Sequence, residues 1–386
     1  MTSYRIRGLA FAFGAALLAA PAFAAEPGHP VTTADINAAD IGARDKAISD
    51  DYFEGRGPGT KAGQAASQWI ADEMKRIGLK PGNKGSYFQE VPAVNITLDA
   101  AKSSLVFKTP KGEINPKFPD EDVYWTPQFK SADVTVKDSD LVFVGYGIVA
   151  PEYKWNDYAG VDVKGKTVVI LINDPGFVNR DPKFFKGKAM TYYGRWTYKY
   201  EEAARQGAAA AIIVHETAPA AYGWQVVRNS NSGKKGWLDA ADQNMSMVPV
   251  QGWITHETAQ TLFKNAGLDY TTLKDAADKR GFKAVAMKGE TMSAHLHSTV
   301  EHMKTRNVVG VLPGSVHPND YVLYTAHWDH LGVKPDVAGP DKIYNGAVDN
   351  GMGLSSILEV AEKFAHDKPA PKRSVAFLAW TLEEQG

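Results

Sequence analysis

The stretch from residue 305 to residue 332 reads TRNVVGVLPGSVHPNDYVLYTAHWDHLG. It contains two apolar runs, 307–312 and 321–325, and the second leads into the polar cluster at 327–330. Continuous apolar runs of this length are typical of strands that are covered on both faces of a sheet. The stretch therefore predicts an α/β fold in which functional side chains follow the end of a strand.

A predicted helix and a third apolar run continue this pattern downstream. One face of the helix carries, at helical spacing, Leu354, Ile357, Leu358, Ala361 and Phe364. The run 374–380 reads as another buried strand, and Glu383 and Glu384 follow it. Asp349 lies just before the helix, so three polar clusters fall at the ends of neighbouring elements. In open α/β sheets, functional groups collect at such ends.

The rest of the chain divides into segments of different texture. An amphipathic helix pattern covers residues 66–77, whereas residues 111–290 are β-rich and carry signals for one or two helices. We therefore predict a signal peptide at 1–25, an α/β domain built from 26–110 and 291–386, and a β-rich insert at 111–290.

The N-terminus has the layout of a cleavable signal peptide. Arg5 and Arg7 precede an apolar run at 8–20, and the small-residue pattern Ala22-Phe23-Ala24 follows. The run is shorter than the roughly 20 residues that a membrane-spanning helix needs. The sequence thus predicts an exported protein, periplasmic or extracellular, without a membrane span.

Composition argues against nucleic-acid binding and limits the ligands that a bound metal could take. The chain has 386 residues, 44% of them apolar and 23% charged, with a formal net charge of -1. It therefore lacks the basic field that attracts nucleic acid. It contains no cysteine, so any bound metal must take nitrogen and oxygen ligands. The pattern leaves the oligomeric state open.

The three clusters supply ligands of the kind that zinc accepts. His327 offers an imidazole, and Asp349, Glu383 and Glu384 offer carboxylates. Asp329 is placed to accept the other ring N–H of His327 and so to orient it. Of two adjacent glutamates, one can bind metal while the other takes a proton from water. Chemistry alone does not assign those two roles. Taken singly, each cluster also fits a hydrogen-bonded histidine or a solvated turn.

Three runs of sequence resemble the motifs of the co-catalytic zinc exopeptidase family. They are YTAHWDHLG at 324–332, NGAVDNGMG at 345–353 and LAWTLEEQG at 378–386. The similarity extends to residues 53–56 and 305–310. The family includes bacterial leucyl aminopeptidases, glutamate carboxypeptidase II and glutaminyl cyclases.

The resemblance implies a fold and a set of roles. The fold is a three-layer α/β/α sandwich with a mixed, mostly parallel sheet. His327 binds one zinc ion, Asp349 bridges two, Glu384 binds the other, and Glu383 is the general base. The peptide bond after Asp349 is expected to be cis. The implied substrate is a peptide, and the favoured activity is removal of its N-terminal residue.

The resemblance leaves other functions open. A glutamate carboxypeptidase or glutaminyl cyclase activity on the same fold is one alternative, and a non-catalytic receptor-like member is another. The family uses a further aspartate and histidine beyond the paired glutamates. Because the sequence ends two residues after Glu384, we expect it to be incomplete at its C-terminus.

The insert resembles a protease-associated domain, on the runs 143–147, 165–169 and 207–213. Such inserts border the active site without contributing chemistry. The phosphate-loop pattern at 160–167 leads into a strand rather than a helix, which argues against a nucleotide site. His295 and His297 share one face of a predicted strand, where an exposed surface is the simpler interpretation.

Overall fold

The computed structural model describes residues 25–334 and 337–385. The predicted signal peptide lies outside these residues, apart from Ala25. The chain forms two compact units. The first comprises the described residues up to Lys80 together with Val311–Phe377, and the second comprises Pro81–Gly310 together with the chain from Leu378 onward. The predicted domain limits at 110 and 290 stay predictions.

The helices and strands are numbered in chain order. The α-helices are α1 Ala38–Ile48, α2 Lys61–Ile77, α3 Gly176–Asn179, α4 Trp196–Arg205, α5 Thr217–Ala220, α6 Trp224–Asn231, α7 His256–Asn265, α8 Tyr270–Ala277 and α9 Met352–His366. The strands are β1 Lys80–Pro81, β2 Phe88–Leu98, β3 Ser104–Thr109, β4 Gly112–Ile114, β5 Asp122–Trp125, β6 Asp133–Phe143, β7 Val149–Ala150, β8 Trp155–Asn156, β9 Thr167–Leu171, β10 Ala210–Val214, β11 Lys234–Leu238, β12 Val250–Ile254, β13 Val285–Leu312, β14 His317–His327, β15 Gly332–Val333, β16 Ile343–Tyr344 and β17 Arg373–Trp380.

In the first unit, α9 packs on β14, and β14 pairs with β17. Aromatic side chains join these three elements. The ring of Tyr324 on β14 stacks on Phe377 of β17 at a centroid distance of 5.5 Å, and it meets Phe364 of α9 at 6.0 Å. The predicted strands and helix of this segment are present, and they place residue 327 at the end of β14. The prediction that the run 321–325 is covered on both faces is wrong, because Tyr321, Val322 and Leu323 are exposed.

Helices α1, α2 and α9 of the first unit enclose a cluster of charged side chains. Arg44 of α1 is fully buried, and its Nε donates to Glu73 of α2 at 2.8 Å. The same guanidinium forms ion pairs with Glu359 and Glu362 of α9. Buried charges need partners, and Arg44 finds its partners on two other helices. This one side chain therefore links α1, α2 and α9.

The second unit is built on a mixed sheet in the order β11-β2-β13-β6-β9-β10-β12-β5. Strands β6, β9, β10 and β12 are parallel neighbours, and β5 joins antiparallel. Along β9, Val168 and Ile170 enter one apolar cluster, whereas Val169 and Leu171 enter another. Both faces of these strands are therefore covered, and the predicted α/β class with a mixed sheet is confirmed.

The prediction of one or two helices between residues 111 and 290 is wrong. The structure has α4, α6, α7 and α8 there, each eight to ten residues long. Two of them begin at capping residues whose side chains accept from the first turn, Thr255 and Asp269. Helices this short contain too few apolar residues for helical spacing to be recognised in the sequence, even where a capping residue marks their start.

No helix within residues 25–334 or 337–385 has both the length and the apolar character needed to cross a membrane.

Candidate metal centre

His327 is the last residue of β14, and its ring is largely buried. Its Nδ1 lies 3.1 Å from the backbone oxygen of Asp329. Because a carbonyl oxygen only accepts hydrogen bonds, Nδ1 is the donor, which leaves the Nε2 lone pair as the one that can bind a metal. The loop after β14 thus fixes both the orientation and the tautomer of this imidazole.

Asp349 comes close to that lone pair from a different element. It lies in the segment Ala347–Gly351 that precedes α9, where its own backbone is not helical (φ −119°, ψ 93°), and its side chain is 68% exposed. The Oδ1 atom lies 3.0 Å from Nε2 of His327. A lone pair and a carboxylate at this distance need a proton or a metal cation between them. Imidazole nitrogen and carboxylate oxygen are the donors that zinc takes from proteins, so the pair fits a metal site.

The backbone around Asp349 has the predicted conformation. The peptide bond between Asp349 and Asn350 is cis. The Asn350 side chain then accepts from the Gly353 N–H at 3.1 Å, where α9 begins. The helix and the carboxylate are therefore held by consecutive residues.

Asp329 orients His327 in a different way from the one that its spacing predicted. Its carboxylate Oδ1 lies 3.9 Å from Nδ1 of His327, whereas its backbone oxygen is closer, at 3.1 Å. The carboxyl group is fully buried beneath the loop. A positioning role for this carboxylate stays a prediction.

Arg56 joins the loops that carry His327 and Asp349, a role that the sequence motif did not reveal. Its fully buried guanidinium donates from Nε to the Trp328 oxygen at 2.7 Å. Nη1 donates to the Asn345 oxygen at 2.5 Å, and Nη2 donates to the Gly346 oxygen at 2.7 Å. One planar side chain thus sets the spacing between the two predicted metal-binding loops.

Glu383 and Glu384 lie in the second unit, in the 3₁₀ helix that follows β17. Thr381 anchors this segment to β13. Its backbone N–H donates to the Asn307 side chain at 3.0 Å, and its hydroxyl lies 2.8 Å from that of Thr305. Glu383 is exposed and Glu384 is half-buried, and both line a pocket of this unit.

The remaining motifs have other surroundings. Residues 165–167 lead into β9, as expected for a strand and not for a phosphate-binding helix. His295 and His297 both lie near the exposed carboxylate of Asp133, at 3.6 Å and 2.9 Å. These contacts explain the two histidines without a ligand.

Comparison with known proteins identifies the segment that holds these motifs. Residues 307–386 match the family described as "Peptidase family M28". This segment matches peptidase family M28. The match contains His327, Asp349, Glu383 and Glu384, and the resemblance to the zinc exopeptidase family found in the sequence is confirmed.

Named relatives extend the M28 match. A glutamate carboxypeptidase 2 homolog of Caenorhabditis elegans is 24% identical over 383 residues, which cover 85% of this chain and 45% of the relative. A probable zinc metalloprotease of Pyrenophora teres f. teres (strain 0-1) is 41% identical over 80 residues, 20% of this chain and 16% of that protein. The aminopeptidase from Aneurinibacillus sp. strain AM-1 has a solved structure with 20% identity and a TM-score of 0.44, covering 91% of this chain and 64% of that chain. The chain thus spans less than half the length of the C. elegans relative.

Proposed function

We propose that the protein is an exported zinc-dependent exopeptidase, an aminopeptidase that removes the N-terminal residue of peptides. The observation that carries the proposal is the 3.0 Å approach of His327 Nε2 to Asp349 Oδ1, inside the M28 segment. Since Nδ1 is already bound to a carbonyl, both facing atoms are electron-pair donors and suit a cation.

Glu384 is assigned to the same ligand set as His327 and Asp349 on the resemblance of its run, 378–386, to the zinc exopeptidase motifs. On that resemblance, His327, Asp349 and Glu384 would hold two zinc ions. Zinc bound there would polarise the scissile carbonyl and lower the pKa of the attacking water. Asp329 and the loop after β14 keep the imidazole aligned, and Arg56 keeps the two loops in register.

Glu383 is the proposed general base. It adjoins the proposed ligand Glu384 in the sequence, and its side chain is exposed to solvent. It would take the proton of the attacking water and pass it to the leaving amine.

We propose export because residues 1–25 have the pattern of a signal peptide. We also propose that the insert is a protease-associated domain, because its sequence resembles such domains.

The test combines metal analysis with hydrolysis of leucine p-nitroanilide. We expect the protein to hold zinc and to cleave the anilide. Glu383→Gln should retain the metal and lose turnover by about 10²-fold or more, because only proton transfer is removed. Glu384→Gln should lose metal as well. Glu257→Gln, at an exposed position on α7, is the matched control. Normal turnover of Glu383→Gln would reject the assigned base.

A carboxypeptidase activity is the second candidate, favoured by the match of 85% of the chain to a glutamate carboxypeptidase homolog. Peptides with free and acetylated N-termini separate the two. An aminopeptidase needs the free amine, whereas a carboxypeptidase cleaves both forms. Cleavage of acetylated peptides from the C-terminal end would therefore replace the first candidate by the second.

A further inference from the structure

A pocket of about 230 Å³ in the second unit opens beside the paired glutamates. Its lining includes Glu383 and Glu384, and the insert contributes Trp196, Trp253 and Lys235. This volume is several times the roughly 30 Å³ that a water molecule occupies in the liquid. The pocket can therefore hold a group of the size of an amino-acid side chain.

Lys235 is a buried cation in this pocket. It lies on β11 and is only 5% exposed. Its Nζ lies 4.4 Å from the ring centroid of Trp125 and 5.7 Å from that of Trp196, in cation–π contact with both. Within the described residues, no carboxylate forms an ion pair with this ammonium. Burying a charge without a counterion is costly, so the position calls for an explanation.

The hydrogen bonds of Lys235 are incomplete. Nζ donates to the Asn231 side-chain oxygen at 2.8 Å, and the Asn231 amide donates in turn to the Val227 oxygen at 2.7 Å. An ammonium carries three N–H donors, so two remain for a ligand. The indole N–H of Trp253 is also buried and has no hydrogen-bond partner among the described residues. Lys235 thus brings unused N–H donors to a pocket that also has an aromatic wall.

We propose that this pocket is a specificity subsite for an acidic side chain of the peptide substrate, with Lys235 binding its carboxylate. The inference rests on the proposed function, because Glu383 and Glu384 place the pocket beside the scissile bond. The aromatic rings cover the methylene groups of the side chain, while the ammonium supplies a charge-assisted hydrogen bond. Burial lowers the pKa of Lys235 to about 8, so the side chain carries its charge near neutral pH.

Binding of glutarate tests the subsite without any need for catalysis. Glutarate and its uncharged analogue glutaramide are titrated against the protein, with tryptophan fluorescence as the signal, since Trp125 and Trp196 flank the ammonium. We expect glutarate to bind at least tenfold more tightly than glutaramide. Lys235→Met should remove the difference, while Lys234→Met, at the exposed neighbouring position, should keep it. Equal binding of the two compounds by the unaltered protein overturns the proposal.

A second variant guards against misfolding of Lys235→Met. Ser230 is exposed and lines the same pocket. Ser230→Glu places a carboxylate where it competes for the donors of Lys235, whereas Ser230→Gln has the same size without the charge. We expect only Ser230→Glu to weaken glutarate binding, by about tenfold. If both variants bind glutarate equally well, the ammonium is not the binding group.

Kinetics separate this inference from the proposed function. The ratio of kcat/KM for a glutamyl anilide to that for a leucyl anilide should fall about 10- to 100-fold in Lys235→Met, the range of one charge-assisted hydrogen bond. An unchanged ratio with both anilides cleaved contradicts the subsite and leaves the peptidase standing. Cleavage of neither anilide by the unaltered protein contradicts the peptidase, and glutarate binding then decides on the pocket.

Discussion

Arg56 shows how one residue can hold a site together without binding metal or substrate. A lysine at this position has one nitrogen and cannot reach the carbonyls of Trp328, Asn345 and Gly346 at once. Buried acceptors that lose their donor each cost about 1–3 kcal/mol. We expect Arg56→Lys to lower the free energy of unfolding by about 3 kcal/mol, measured by urea denaturation.

The same substitution should weaken metal binding, because the loops of His327 and Asp349 lose their common anchor. Arg373→Lys is the control, since Arg373 is exposed and faces Asp320 at 3.7 Å. It should change stability by less than about 0.5 kcal/mol. An Arg56→Lys protein with the unaltered stability and zinc affinity would contradict the anchoring role.

Gly55 is required beside Arg56 for a steric reason. Its φ is +68°, and a Cβ atom there would lie 2.4 Å from the backbone oxygen of Tyr344 and 2.8 Å from that of Gly332. Gly55→Ala should therefore destabilise the unit by more than the roughly 1 kcal/mol that positive φ alone costs. Gly78→Ala is the matched control, because Gly78 has φ +97° and no atom near the added Cβ. Equal losses in thermal unfolding of the two variants would count against the collision.

At the scale of elements, the ion-pair cluster between α1, α2 and α9 makes stability depend on pH. Burial raises the pKa of Glu73, but hydrogen bonds from Arg76, His29 and Arg44 outweigh it and hold that pKa well below its usual range. The group has a lower pKa folded than unfolded, so its stabilisation is present above about pH 4.3 and is lost as the pH falls below that value.

We expect Glu73→Gln to be less stable at pH 7 and to lose less stability between pH 5 and pH 3 than the unaltered protein. The difference in acid dependence should be of order 2 kcal/mol, from urea denaturation at each pH. Asp72→Asn, at the exposed neighbouring position on α2, should leave the pH dependence unchanged. Parallel pH curves for Glu73→Gln and the unaltered protein would exclude Glu73 as the titrating group.

Elements with a long apolar run could be predicted from the sequence, and short or polar ones could not. The runs at 321–325 and 374–380 lie within β14 and β17, and the helical stripe from Leu354 to Phe364 lies within α9. Helix α1 carries almost no apolar stripe, since its buried residues are Arg44 and, at its end, Ile48. Its packing depends on carboxylates of α2 and α9, which lie far away in the sequence.

The candidate site divides in the same way at the scale of the whole molecule. His327, Asp349 and the paired glutamates could be singled out because their residue types suit zinc and they follow predicted strands or precede a helix. The role of Arg56 could not be predicted, because its guanidinium binds backbone oxygens, and no pattern of side chains in the sequence marks those oxygens. The burial of Lys235 could not be predicted either, because a lysine on a short strand is expected to be exposed. Its burial depends on Trp125 and Trp196, which belong to other elements.

Zinc should stabilise the folded protein if His327 and Asp349 bind it together, because a ligand that binds only the folded state adds RT ln(1 + [L]/Kd) to its stability. At a hundredfold excess over Kd the gain is about 2.7 kcal/mol, which raises the melting temperature by a few degrees. We expect added zinc to raise it, a chelator to reverse the change, and His327→Gln with Asp349→Asn to abolish it. The control is the double variant His295→Gln with His297→Gln. It removes two histidines that both lie close to Asp133, and it should leave the zinc effect intact. If that control abolishes the effect and the His327 and Asp349 variant does not, the metal binds at the exposed strand and the proposed centre is wrong.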